Sequence, residues 1–207
     1  MIAKVKFCGI TNLEDAISAS NLGADALGFV FYSKSSRFIS PKYANEIIQK
    51  LPPFISTVGL FVNQSKSVVE DAIKTCSLNL LQFHGDEDEF FCKQFDLPYI
   101  KAISMKPGIN LIKCIEDYNS AKALLLDSYS EDTRGGSGKV FDWKSIPLST
   151  PKPFIIAGGL NPNNVKSLLE LIVPYGVDVS SGIESADGLK DYQLMKEFIL
   201  GVTNASV

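Results

Sequence analysis

Two side chains, a cysteine and an aspartate, are placed in the sequence where each could exchange a proton with a substrate. Cys8 ends the run Lys4-Val5-Lys6-Phe7-Cys8-Gly9-Ile10-Thr11, which reads as a strand that stops on a thiol where the next helix begins. Side chains repeat every two residues along a strand, so Lys4, Lys6 and Cys8 share one face while Val5 and Phe7 share the other. A thiol acts as a base only after ionising, and at an ordinary pKa near 8.5 roughly 3% is thiolate at pH 7. Lys6, on the same face, could supply the positive charge that raises this fraction. The competing role for Cys8 is a small buried hydrophobe. Asp127 closes the run Ala121-Lys122-Ala123-Leu124-Leu125-Leu126-Asp127, with Ala123, Leu125 and Asp127 on one face. Desolvation at the end of an apolar strand favours the neutral carboxylic acid, which can donate a proton. An isolated aspartate there would more simply cap the following loop; its combination with Cys8 favours acid–base chemistry.

Other residues suit binding. Ala157-Gly158-Gly159-Leu160 allows a ligand to approach the backbone without Cβ obstruction, and Asn161-Pro162 then caps and starts a helix. Ser180-Ser181-Gly182 adds hydroxyls and amides. On adjacent strand ends the two motifs suit a phosphate, held by convergent amides and helix-terminal dipoles. Arg37, in Ser33-Lys34-Ser35-Ser36-Arg37-Phe38, could grip a carboxylate with its planar fork, although a solvated arginine is the default for a loop. His84 is the only histidine, so it cannot build a multi-histidine metal site; a structural or substrate contact at a strand end is expected. Arg134-Gly135-Gly136-Ser137-Gly138 lacks the Walker pattern and reads better as a mobile lid beside Asp127. Cys76, Cys92 and Cys114 fall in helical patterns, where packing is the expected role.

The elements that must position these groups alternate. Strands are predicted at 3–8, 25–31, 55–61, 78–83, 98–103, 121–127, 153–157 and 176–180. Helical spacing separates them, as in Leu13, Ala16 and Ile17, in Ala44, Ile47 and Ile48, and in Val165, Leu168 and Leu169. Thr11 and Glu14 have capping-box spacing at the first helix. Eight strand–helix units predict an α/β fold, a single-domain (β/α)8 TIM barrel spanning 1–207, with an open doubly wound sheet as the alternative. A Pro107-Gly108 break and the short interval 142–150 are the weakest parts of the count. In a barrel the strand ends named above gather on one rim, the usual place for chemistry.

With 207 residues and 45% apolar content the chain can bury a substantial core. A formal net charge of −3 with dispersed basic residues offers no field for nucleic acid, which leaves a small soluble molecule as the expected partner. The four cysteines have neither CxxC nor clustered spacing, so no metal site is expected and a reducing, cytoplasmic location fits. No apolar stretch reaches the roughly 18 residues a spanning helix requires, and no secretion signal is apparent. Apolar residues on helical barrel exteriors are normal, so monomer and homodimer are both open.

Lys6-Phe7-Cys8-Gly9-Ile10-Thr11, Leu81-Gln82-Phe83-His84-Gly85, Leu126-Asp127-Ser128, Gly135-Gly136-Ser137-Gly138, Ala157-Gly158-Gly159-Leu160 and Asp178-Val179-Ser180-Ser181-Gly182-Ile183-Glu184 together resemble phosphoribosylanthranilate isomerases, in order from residue 4 to about 200. The resemblance implies a cofactor-independent Amadori rearrangement in tryptophan biosynthesis: N-(5-phosphoribosyl)anthranilate becomes 1-(2-carboxyphenylamino)-1-deoxyribulose 5-phosphate. It implies Asp127 as general acid, Cys8 as general base and Arg37 as contact to the anthranilate carboxylate. Gly158, Gly159, Ser181 and Gly182 would hold the phosphate at the opposite end, and His84 would touch substrate. Asp187 stands where the family often has proline; its charge near the phosphate site could weaken that site, or it could cap the last helix. Another sugar-phosphate barrel enzyme, such as an epimerase or a bifunctional isomerase that also accepts the related histidine-pathway substrate, and a noncatalytic sensor of phosphoribosyl ligands, are the alternatives.

Overall fold

A computed structural model describes residues 2–128, 141–147 and 150–205. Eight parallel strands close into a barrel in chain order: β1 (Lys4–Cys8), β2 (Ala26–Val30), β3 (Ser56–Phe61), β4 (Leu80–Phe83), β5 (Tyr99–Met105), β6 (Ala123–Ser128), β7 (Phe154–Ile156) and β8 (Gly176–Val179). β8 pairs back onto β1 with Lys6 level with Asp178, which rules out the open sheet. Each strand lies where alternation predicts one, with ends displaced by at most a few residues.

The helices are α1 (Leu13–Leu22), α2 (Pro41–Ile48), α3 (Lys66–Thr75), α4 (Glu89–Cys92), α5 (Leu111–Asp117), α6 (Val165–Leu171) and α7 (Tyr192–Asn204). The eightfold count of helices therefore needs correction. Between β6 and β7 the described residues hold only a 3-10 turn, Trp143–Ser145. Pro147 follows at once and Pro151 and Pro153 lie just beyond, each biasing its predecessor away from helix. The glycine-rich segment 134–138, read above as a lid, lies outside the described residues.

Two helix starts also differ from the sequence reading. Asn12, not Thr11, caps α1, accepting from the Asp15 amide at 2.8 Å while its own amide donates to the Asp15 carboxylate at 2.7 Å. The helix begins at Leu13, one residue later than Thr11 would cap, and the Thr11 hydroxyl turns away to donate to the Gly188 carbonyl. Asn161 accepts from the Asn163 amide in a turn, and α6 begins only at Val165. An element without any counterpart in the predicted strands follows β8: a 3-10 turn, Ser181–Ile183, leads into an antiparallel hairpin of β9 (Glu184–Ala186) and β10 (Leu189–Lys190). Asp187-Gly188 is its two-residue connection, with Gly188 at φ +78°. Asp187 is thus at a hairpin tip, and Asp191 caps α7 by accepting from the Leu194 amide at 2.9 Å.

Packing follows the strand alternation. Phe7, Phe29, Phe61, Phe83, Leu124 and Val177 face outward to the helices in the main apolar layer. Ile100, Ala102, Ala123, Leu125, Ile155 and Ala157 form one smaller cluster within the barrel, and Cys8, Val30, Leu60 and Val62 form another beside the site. Phe83 is fully buried and its ring lies 5.7 to 6.1 Å from those of Phe61, Phe91, Phe95 and Tyr99. Among the described residues no helix is long and apolar enough to cross a membrane. Because Phe83 anchors the end of β4, Phe83→Ala should lower unfolding stability by about 3–5 kcal/mol, measured by urea denaturation. A loss under 1 kcal/mol would show that the aromatic cluster does not hold this strand.

Candidate active site

A cavity of about 590 Å³ opens at the C-terminal ends of the strands, a volume suited to a small-molecule ligand. Of the predicted site residues, Cys8, Arg37, His84, Asp127, Gly158, Gly159 and Ser181 line it. Gly182 is not among the lining residues. A Cβ at Gly182 would collide with the Leu160 carbonyl, so this glycine lets the loop after β8 lie against the loop after β7.

Cys8 is buried, with the apolar side chains of Val30, Leu60 and Val62 on one side and the charged pair of Lys6 and Asp178 on the other. Lys6 Nζ donates to Asp178 Oδ1 at 2.8 Å with both side chains almost fully buried. Burial pushes the Cys8 thiol upward and the Asp178 charge adds to this, while the Lys6 ammonium, hydrogen-bonded to the sulfur, and Lys190 oppose it; the net shift is upward. Burial pulls Lys6 down, yet Asp178 and Cys8 outweigh it and hold the lysine above its ordinary value, so Lys6 stays charged. Gly28, level with Cys8 on β2, makes room for both groups: a Cβ there would stand 2.8 Å from the sulfur and 3.1 Å from the ammonium.

Asp127 enters from β6, three strands from β1 around the barrel. One carboxylate oxygen accepts from the Ser128 amide at 2.9 Å and the other lies 2.9 Å from His84 Nε2. His84 Nδ1 is in turn 3.0 Å from the side-chain nitrogen of Gln82. The strand end that carries these residues is fixed beneath. Glu87, buried, accepts from the Gly85 amide at 2.8 Å, the Asn63 amide at 2.6 Å and Lys101 Nζ at 3.1 Å.

Arg37 is held by the hairpin. Its Nε and Nη2 donate to the two oxygens of Glu184 at 2.8 and 2.6 Å. Lys190 Nζ donates to the same carboxylate at 2.7 Å. Burial would raise the Glu184 carboxyl, but Arg37 and Lys190 together hold it below the usual carboxylate range. One edge of the arginine fork is therefore occupied, and among the described residues the Nη1–Nη2 end makes no further hydrogen bond. The aliphatic part of Arg37 crosses Gly9, which adopts φ +78° and has no room for a Cβ. Asp187 lies 3.8 Å from Arg37 Nη2, so the charge expected to disturb a phosphate has Arg37 as its ion-pair partner instead. At the neighbouring strand end Gly158 and Gly159 adopt φ +79° and +64°, conformations open to glycine. A side chain at Gly158 would collide with Ser128.

A sequence model of the N-(5'-phosphoribosyl)anthranilate (PRA) isomerase family matches residues 5–200. The chain belongs to the phosphoribosylanthranilate isomerase family. Its sequence is 48% identical to the N-(5'-phosphoribosyl)anthranilate isomerase of Nitrosospira multiformis over 202 residues, 98% of this chain and 97% of that one. The crystal structure of the phosphoribosyl anthranilate isomerase from Thermotoga maritima superposes with a TM-score of 0.89 at 40% identity, covering 98% of this chain and all of the other. A crystal structure of a phosphoribosyl anthranilate isomerase in complex with reduced 1-(o-carboxyphenylamino)-1-deoxyribulose 5-phosphate superposes at 0.85 with 38% identity, covering 98% and 100%.

This phosphoribosylanthranilate isomerase family member has site residues that the sequence reading passed over. Gln82 and Asp178 stand inside the quoted motifs, and alternation alone puts Gln82 on the face of His84 and Asp178 on that of Ser180. Glu184 and Lys190 required the hairpin, whose Asp187-Gly188 signal was present. Cys76 and Cys92 are as expected: burial pushes their thiols up to about 11 and about 12. Among the described residues no group of three or more His, Cys, Asp or Glu is placed to hold a metal.

A carboxylate held below its unfolded value stabilises the fold fully above that value, 4.5, and loses the contribution as pH falls through its lower folded value. Glu184→Gln should therefore flatten the acid side of the stability profile below about pH 4.5, seen by denaturation at stepped pH. An unchanged profile would show that the Arg37–Glu184–Lys190 contact does not contribute.

Proposed function

We propose that the chain isomerises N-(5'-phosphoribosyl)anthranilate to 1-(2-carboxyphenylamino)-1-deoxyribulose 5-phosphate in tryptophan biosynthesis, with Asp127 as general acid and Cys8 as general base. The observation that carries the reading is that a carboxyl from β6 and a thiol from β1, three strands apart around the barrel, line one cavity. Family membership, and the relative solved with a reduced form of that product, support the substrate.

The Asp127 O–H bond breaks as its proton goes to the furanose ring oxygen. The C1–O bond pair moves onto that oxygen and the anilino nitrogen lone pair forms the C=N bond of a protonated Schiff base. Cys8 thiolate then takes the C2 proton, and the C2–H electrons form the C1=C2 bond of the enolamine while the C=N pair returns to nitrogen. Tautomerisation of the enolamine yields the aminoketose. The cationic Schiff base forms beside Cys8, where its charge favours the thiolate and offsets the effect of burial. Arg37 meets the anthranilate carboxylate with its Nη1–Nη2 end, while Gly158, Gly159 and Ser181 meet the phosphate and Gly182 shapes their loop. Holding both ends leaves the sugar between acid and base, where orientation contributes to the rate.

Three outcomes follow. Decay of substrate fluorescence should be lost in Cys8→Ala and in Asp127→Asn, each by at least ~100-fold in kcat with binding largely kept, the scale of a general acid or base. Near wild-type turnover in either variant removes that residue from the mechanism. Arg37→Ala should raise KM about 10- to 100-fold for the carboxylate-bearing substrate and leave a descarboxy analogue nearly unaffected; equal responses would contradict the anchor. Cys8 must be ionised to act as a base, so the kcat/KM profile, which reports the free enzyme, should show a gain of activity with rising pH centred above the ordinary thiol value near 8.5 because burial raises Cys8, and the corresponding limb of kcat should lie lower. A kcat/KM limb at or below that value would exclude the buried thiol as the base.

A further inference from the structure

Gln82 is fully buried, and its side-chain oxygen has no hydrogen-bond partner among the described residues. An unpartnered buried amide oxygen is destabilising, so an apolar side chain of the same length would suit packing better. Among the described residues its side-chain hydrogen bond is to His84, from Nε2 to Nδ1 at 3.0 Å. An amide nitrogen can only donate, so Nδ1 must accept, and the imidazole proton is then on Nε2, 2.9 Å from Asp127 Oδ2. The Ser128 amide serves the other carboxylate oxygen.

We propose that Gln82 is a positioning residue that fixes His84 as the Nε2–H tautomer, so that the carboxylate left on Asp127 after proton donation is met by two N–H donors. The inference rests on the acid role assigned to Asp127 above. Transfer of the proton from Asp127 to the ring oxygen creates negative charge at that carboxylate, and donors already aimed at it need no reorganisation as the charge develops. The opposite tautomer would turn a lone pair on Asp127 Oδ2 and repel the same charge. Gln82 thereby acts through His84 and touches no reacting atom.

Because the chain has one histidine, protein labelled with 15N-histidine gives one pair of ring nitrogens and needs no assignment between residues. Ligand-free wild type at neutral pH should show Nε2 protonated and Nδ1 bare. Gln82→Met, which keeps the length and apolar packing, should lose that single pattern, and Gln82→Glu should place a proton on Nδ1. Both should lower kcat on the order of tenfold with KM within about threefold, as expected for support of a general acid rather than of binding. Melting curves confirm that each variant is folded. A wild-type spectrum with the proton on Nδ1, or a folded Gln82→Met variant that keeps the wild-type nitrogen pattern or kcat, overturns the proposal. Absence of isomerisation by wild type would instead strike the functional reading, while the nitrogen pattern still decides the tautomer.

Discussion

The seam where the last strand meets the first is crossed by a buried ion pair, Lys6 with Asp178, and the site is arranged around it. Two charges so far from water cost several kcal/mol each in desolvation, and an apolar pair of equal volume would often serve stability as well or better. What an apolar pair could not do is place an ammonium against the sulfur of Cys8. The pair faces into the barrel from adjacent strands drawn from the two ends of the chain, so the closed seam is what brings these charges beside the thiol. Burial and Lys6 pull the thiol in opposite directions. The proposed base is consequently mostly in its thiol form until a cationic intermediate beside it favours the thiolate.

The loops repeat this logic of coupling. Thr11 and Asp15, at the start of α1, hold the hairpin after β8 through the Gly188 carbonyl and the Lys190 amide. The hairpin in turn holds Arg37 through Glu184, across 147 residues of sequence. Loops after β1, β2 and β8 thus form one body around the proposed carboxylate anchor. Glu87 and Asn63 do the same for the strand end that carries Gln82 and His84. Catalytic side chains on short loops gain precision when those loops are bonded to one another rather than to solvent.

The barrel was legible because eight apolar runs alternate with helical spacing, a pattern that short-range physics writes directly into sequence. Cys8 and Asp127 were legible from strand alternation and their position at strand ends. The Arg37 partner was not, because an ion pair between residues 37 and 184 leaves no local trace. Thr11 shows a different limit: its spacing to Glu14 satisfies a cap, but the helix begins one residue later, so Asn12 takes the role and the Thr11 hydroxyl makes a tertiary contact instead. Gln82 lay in a quoted motif and was unremarked because its meaning depends on a histidine two residues away and an aspartate on another strand. Family membership places the chain among the phosphoribosylanthranilate isomerases rather than the epimerases.

The central claim is that Cys8 takes the C2 proton only after Asp127 has opened the ring, and substrate deuterated at C2 tests it most directly. Loss of deuterium to solvent should accompany wild-type turnover. Both Cys8→Ala, which lacks the base, and Asp127→Asn, which never forms the Schiff base, should retain the label on unreacted substrate. Release of deuterium by folded Cys8→Ala at the wild-type rate would contradict the account.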